Sequence, residues 1–213
     1  LFAKLDNLAS DDIVIASSSS AMPISTITQN LRGQHRCIIA HPANPPHLIP
    51  CVELCPSENT SQKTIEKTQE IFKSSGASIV NVRKEIDGFI LNRLQGALLN
   101  EAMRLYSEGY ANSDEIDATI RDGLGLRWAF MGPFETIDLN APGGIKDYIA
   151  RYGPMYVEMA KNQTSVPDWS VKVGEKLEAE RREKLSHNEL IERANKRNHL
   201  LKSLRKVKID NNE

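Results

Sequence analysis

Hydrophobic positions fall into two regimes along the chain. Up to Lys84 they come in short runs: Ile13-Val14-Ile15-Ala16, Cys37-Ile38-Ile39-Ala40, Val52-Glu53-Leu54 and Ile79-Val80-Asn81-Val82. These are too short for helices and rich in β-branched residues, so each reads as a strand. Between them Pro23 to Leu31 and Ser61 to Ser74 read as helices, the second with Ile65, Ile71 and Phe72 near helical spacing. Runs without polar alternation imply strands buried on both faces, as in a parallel α/β sheet. Ligands of such sheets sit beyond the carboxyl ends of the strands.

From Asp87 the period becomes helical. Phe89, Ile90, Leu94, Ala97, Leu98, Ala102, Leu105 and Tyr106 describe a helix of about six turns, with Asp87 as its cap and Gly109 as its stop. Asn112 with Glu115, and Ser186 with Glu189, are capping-box pairs that open further helices. The expected architecture is α/β then all-α, with an α/β unit over residues 1–86 and an all-helical unit over 87–213.

Composition narrows the functional classes only slightly. With 27 basic and 28 acidic side chains in 213 residues, the net charge of −1 supplies no whole-protein field for nucleic acid or a membrane surface. The segment from Val171 to Glu213 is locally basic, twelve basic against eight acidic side chains. Its Leu177, Leu190, Ala194, Leu201 and Leu204 share a helical face, which reads as a solvated helix pair packed on its own domain or across a dimer. Interleaved acids and the lack of aromatics argue against a nucleic-acid or membrane role for Lys196 to Lys208. No window approaches the roughly 20 apolar residues of a membrane span, and the start LFAKLDNLASDD lacks the parts of a signal peptide. The expectation is a cytoplasmic protein whose three cysteines are reduced thiols. Leu1 in place of Met reads as a processed or incomplete chain.

Four polar residues fall where a sheet edge would present them: Ser20 after the first strand, His41 after the second, Glu53 in the third and Asn92 early in the long helix. Singly, each has an ordinary structural explanation as a turn serine, a loop histidine, a paired strand carboxylate or a local backbone bonder. Together they suit chemistry. A carboxylate on one imidazole nitrogen fixes the tautomer and makes the other nitrogen a better base, and neutral donors stabilise an oxygen that gains charge. That set suits alcohol–carbonyl interconversion with hydride passed to a nicotinamide. A serine hydrolase built on Ser20, His41 and Glu53 lacks the G-x-S-x-G elbow. A metal site from Cys51, Cys55, His41 and His47 lacks a second ligand pair at zinc spacing, so no metal is expected.

The segments IASSSSAMPISTI, AHPANPPHLIPCVELCP, DGFILNRLQGALLNEAMRLYSEG and GLGLRWAFMGPFETIDLN, in this order, resemble the 3-hydroxyacyl-CoA dehydrogenase family. The resemblance implies the C-terminal part of a Rossmann-type NAD-binding domain over residues 1–86, then an all-helical dimerisation and substrate domain over 87–213. It implies an NAD-dependent oxidoreductase acting on a 3-hydroxy acid. His41, in H-x-x-N-P, is then the base and Glu53 its partner, with Ser20 and Asn92 on the reacting oxygen and Ser20 also beside the cofactor. A homodimer held mainly by residues 87–213 follows from the same resemblance.

Within that resemblance, the NPP after His41 and the RWAF segment are most similar to a branch acting on free hydroxy acids, which implies a substrate of the L-gulonate type, with a short-chain 3-hydroxyacyl-CoA as the alternative. Arg127, in RWAF, is the candidate to pair with a free carboxylate, which calls for a buried arginine. Two departures from the family pattern stand out. Asp87 replaces the usual Pro before Gly88, and the chain contains no G-x-G-x-x-G turn. The resemblance places that turn ahead of Leu1, so these 213 residues by themselves are expected to hold NAD weakly, and a non-catalytic structural role is the competing reading.

Overall fold

The computed structural model describes residues 1–211. The chain divides into two compact units, Leu1–Ala97 and Leu98–Glu213.

The first unit runs α1 (Phe2–Leu8), β1 (Ile15–Ser17), α2 (Ile24–Thr28), β2 (Cys37–Pro42), β3 (Cys51–Cys55), α3 (Gln62–Ser74) and β4 (Ser78–Asn81). The strands form one sheet in chain order, with β1 and β2 parallel, β2 and β3 antiparallel, and β3 and β4 parallel. The sheet is therefore mixed, which corrects the all-parallel expectation. The reason lies in the connection. Residues 43–50 are too few for a parallel return, which takes a dozen or more residues, so the chain doubles back beside β2.

Period-two alternation sorts the strand side chains onto two faces. Ile38, Ala40, Val52 and Leu54 pack against Ile65 and Phe72 of α3, while Ile15, Cys37, Ile39 and Cys55 pack with Ile24 and Phe89 on the other side. The α3 helix starts where expected, because the Ser61 side chain accepts the Thr64 N–H.

A buried arginine closes the far side of this unit. Arg36 donates to the carbonyls of Asp6 and Ala9 at 2.6 and 2.9 Å and to that of Ser10, and it pairs with the Asp6 carboxylate at 2.8 Å. It thereby caps the C-terminus of α1, where carbonyls lack helical partners. The guanidinium holds the Asp6 carboxyl below the usual carboxylate range.

The long helix α4 spans Leu91–Ser107 rather than starting at Asp87. Asp87 to Ile90 form a turn in which Gly88 and Phe89 both take left-handed backbone, φ 76° and 50°. Glycine adopts this conformation freely; phenylalanine does so only when its surroundings hold it. Gly109, at φ 80°, ends the helix as its spacing predicts.

The second unit is helical. It contains the rest of α4 and then α5 (Ser113–Ala118), a π-helical turn over Thr119–Leu124, α6 (Gly125–Trp128), α7 (Pro133–Leu139), α8 (Gly144–Asn162), α9 (Val171–Lys184) and α10 (Leu190–Asp210). Both capping boxes form. The Asn112 side chain accepts the Glu115 N–H at 3.0 Å while Glu115 accepts the Asn112 N–H at 2.9 Å, and Ser186 with Glu189 repeats the pattern ahead of α10. Glu180 on α9 accepts the Tyr106 hydroxyl at 2.8 Å and the Ser113 N–H at 3.3 Å. Burial and this carboxylate together push the Tyr106 hydroxyl up to about 12, so it stays a donor. No described helix is long and apolar enough to cross a membrane.

Candidate active site

The antiparallel return of β3 sets His41 directly opposite Glu53 in the strand register. Directly opposed residues in an antiparallel pair share a face, so the two side chains meet. His41 Nδ1 lies 2.9 Å from Glu53 Oε2, and both side chains are buried. The other carboxylate oxygen, Glu53 Oε1, accepts the backbone N–H groups of Ile90 and Leu91, each at 2.8 Å. These are orphan donors at the start of α4. One carboxylate thus orients the imidazole and anchors the helix that carries Asn92. With Nδ1 facing a carboxylate the neutral ring keeps its proton there, which leaves Nε2 as the basic atom. Nε2 makes no protein hydrogen bond among the described residues.

Phe89, fully buried, lies against the His41 ring with centroids 5.8 Å apart. Its left-handed backbone turns the chain into α4 where Glu53 can reach the first amides. Cys37 and Cys55 share the dyad's face of the sheet. Burial pushes both thiols up to about 11, so they remain neutral near neutral pH and add no charge there.

Asn92 is the second residue of α4, and its Nδ2 donates to the Ser20 carbonyl at 2.6 Å. Gly88 N–H donates to the Ala21 carbonyl at 2.9 Å, so two bonds hold the loop after β1 against the entry of α4. The Asn92 amide keeps one N–H and its oxygen for another partner. Ser20 is exposed, and its hydroxyl is not bonded to His41 among the described residues. The nucleophile–base pair of the hydrolase reading is thus missing there.

Ser20, His41 and Asn92, with Asn44, Ile49 and Gln95 among the other walls, line a cavity of about 560 Å³. All four residues expected at a sheet edge are therefore brought together, three around the cavity and Glu53 behind His41. Arg127 belongs to the second unit, at the end of α6, and is exposed. This corrects the expectation of a buried arginine: α6 is a single helical turn with no buried residue. Residue patterning missed the backbone amides of Ile90 and Leu91, the packing of Phe89 and the role of Arg36. Only the Asp87-Gly88 pair, a turn signal, hinted at the first two.

The cavity suits the reactive end of a nicotinamide nucleotide: it has room beside a basic nitrogen and neutral donors and acceptors for a carboxamide. A pyrophosphate seat of the glycine-rich kind is absent from the residues of this chain.

Comparison with known proteins agrees with this reading. Residues 1–86 match the model of the 3-hydroxyacyl-CoA dehydrogenase NAD-binding domain, and residues 88–186 match that of the 3-hydroxyacyl-CoA dehydrogenase C-terminal domain. The chain is 44% identical over 177 residues to lambda-crystallin of Oryctolagus cuniculus, covering 83% of this chain and 55% of the relative. It is 39% identical over 155 residues to L-carnitine dehydrogenase of Pseudomonas putida, covering 72% of this chain and 48% of that one. The chain thus spans about half the length of the curated relatives it matches. Among solved structures, an NAD+-dependent dismutase, 5-formyl-3-hydroxy-2-methylpyridine 4-carboxylic acid 5-dehydrogenase, superposes with a TM-score of 0.68 at 27% identity, over 88% of this chain and 66% of that one.

Proposed function

The chain belongs to the 3-hydroxyacyl-CoA dehydrogenase family, and from that premise we propose that it carries the catalytic centre of an NAD-dependent dehydrogenase that oxidises the 3-hydroxyl of a free 3-hydroxy acid of the L-gulonate type. The observation that carries this reading is the buried His41–Glu53 pair on a cavity that His41 lines together with Ser20 and Asn92.

His41 Nε2 accepts the proton of the substrate hydroxyl as the carbon–hydrogen bond at the same carbon breaks. Bound NAD supplies the chemistry of hydride acceptance, so alcohol goes to ketone with one hydride and one proton leaving. Glu53 stabilises the imidazolium that forms and keeps the ring from turning, because its own second oxygen is fixed by two amides. Asn92 donates to the oxygen as charge builds on it. Ser20, on the same cavity, would hydrogen-bond the reacting oxygen and hold the nicotinamide end of the cofactor.

L-carnitine dehydrogenase, named for a free hydroxy acid, supports a free acid as substrate, while a relative of equal similarity named 3-hydroxyacyl-CoA dehydrogenase keeps the acyl-CoA as the alternative. The protein acts as a homodimer through its helical unit, a reading supported by the exposed Ile149, Tyr152, Met155 and Tyr156 along α8.

NAD reduction by the intact protein, followed with L-gulonate and with 3-hydroxybutyryl-CoA as alternative substrates, tests this function. The expected result is a higher kcat/KM for gulonate. A preference for the thioester would move the substrate to the acyl-CoA class, and no reduction with either would leave the structural reading in its place.

A further inference from the structure

The mechanism uses Ser20, His41 and Asn92 for the reacting carbon and leaves part of the cavity without a task. The remaining wall is mostly apolar, Ala43, Ile49, Leu91 and Leu94, with two amides, Asn44 and Gln95. Apart from His41, none of the lining side chains is ionisable. Gln95 follows Asn92 by three residues in α4, so the two side chains are neighbours on one helix surface. The Gln95 side chain is exposed and makes no hydrogen bond among the described residues.

We propose that Gln95 is a specificity-determining residue that selects substrates carrying further hydroxyl groups beside the one oxidised, an inference that rests on the dehydrogenase reading above. A primary amide offers two donors and a two-lone-pair acceptor, which matches a hydroxyl's combined donor and acceptor character. A hydrocarbon chain offers that amide nothing, and seating one there removes water from the amide without replacement. A site that hydrogen-bonds a substrate hydroxyl discriminates against the analogue lacking it, whereas an apolar wall separates the two only weakly. Being neutral, Gln95 recognises the polar chain without competing for the substrate carboxylate.

The test compares kcat/KM for L-gulonate and for 3-hydroxybutyrate, which lacks the further hydroxyls, in the intact protein and in its Gln95→Leu and Gln95→Met variants. Both replacements are good helix formers at an exposed position, so α4 is retained. The expected result is a gulonate-to-hydroxybutyrate ratio lowered about tenfold in both variants, mostly through KM for gulonate. A ratio unchanged within about twofold overturns the proposal, as does a parallel loss for both acids, which would mark Gln95 as structural. Unsubstituted protein that oxidises neither acid overturns the dehydrogenase reading itself and the proposal with it.

Discussion

Replacing His41 by Gln is expected to lower kcat for hydroxyl oxidation by about 10²–10⁴-fold, the contribution of a positioned general base, while KM changes much less. Glutamine keeps a neutral hydrogen-bonding side chain opposite Glu53 but has no atom that can take a proton at neutral pH. Because Glu53 retains its two amide donors from Ile90 and Leu91, the start of α4 stays anchored and the loss is chemical rather than structural. Steady-state kinetics beside a circular-dichroism melt check this. A variant within threefold of the parent would remove His41 from the mechanism.

The second large effect is on stability. Arg36→Ala removes the guanidinium that caps the C-terminal carbonyls of α1, and it leaves the Asp6 carboxylate without its cationic partner, held by backbone N–H groups such as that of Gly33. Breaking a buried ion pair from one side costs about 3–5 kcal/mol, because the remaining charge loses its partner. That is a large fraction of the roughly 5–15 kcal/mol that holds a typical domain together. Urea unfolding of the variant is expected to show a loss in that range, and a loss below about 1 kcal/mol would show the pair to be incidental. The pH dependence has a fixed sign. Asp6 titrates below its unfolded value near 4, so the pair's stabilisation is complete above that pH and disappears as the pH falls through the lower folded value.

Much of the site could be read from the residues because strand register is governed by short-range geometry. Once Cys37-Ile38-Ile39-Ala40 and Val52-Glu53-Leu54 are taken as neighbouring strands, His41 and Glu53 can be expected near one another, and the antiparallel register sets them directly opposite. The direction depends on the length of the connection: with β2 running to Pro42 and β3 starting at Cys51, the eight residues between them are too few for a parallel return. Period 3.6 finds α4 but places its start three residues early, because Phe89 and Ile90 fit the apolar repeat while belonging to a turn. What fixes that turn is tertiary: the Glu53 carboxylate collecting the amides of Ile90 and Leu91, and the burial of Phe89 under His41. No local pattern records such bonds across some 37 residues. Arg36 escaped notice for the same reason, since its partners Asp6, Ala9 and Ser10 precede it by 26 to 30 residues. The capping boxes at Asn112 and Ser186, by contrast, close within four residues and were fully legible.

The most direct test of the central claim, that the His41 imidazole takes the substrate proton, is chemical rescue. In the His41→Ala variant of the intact protein, at saturating NAD and substrate, added imidazole is expected to restore part of the lost rate in a saturable manner. The base then occupies the space the side chain has left beside Glu53. A folded His41→Ala protein whose rate lies within about tenfold of the parent and does not respond to imidazole would contradict the account.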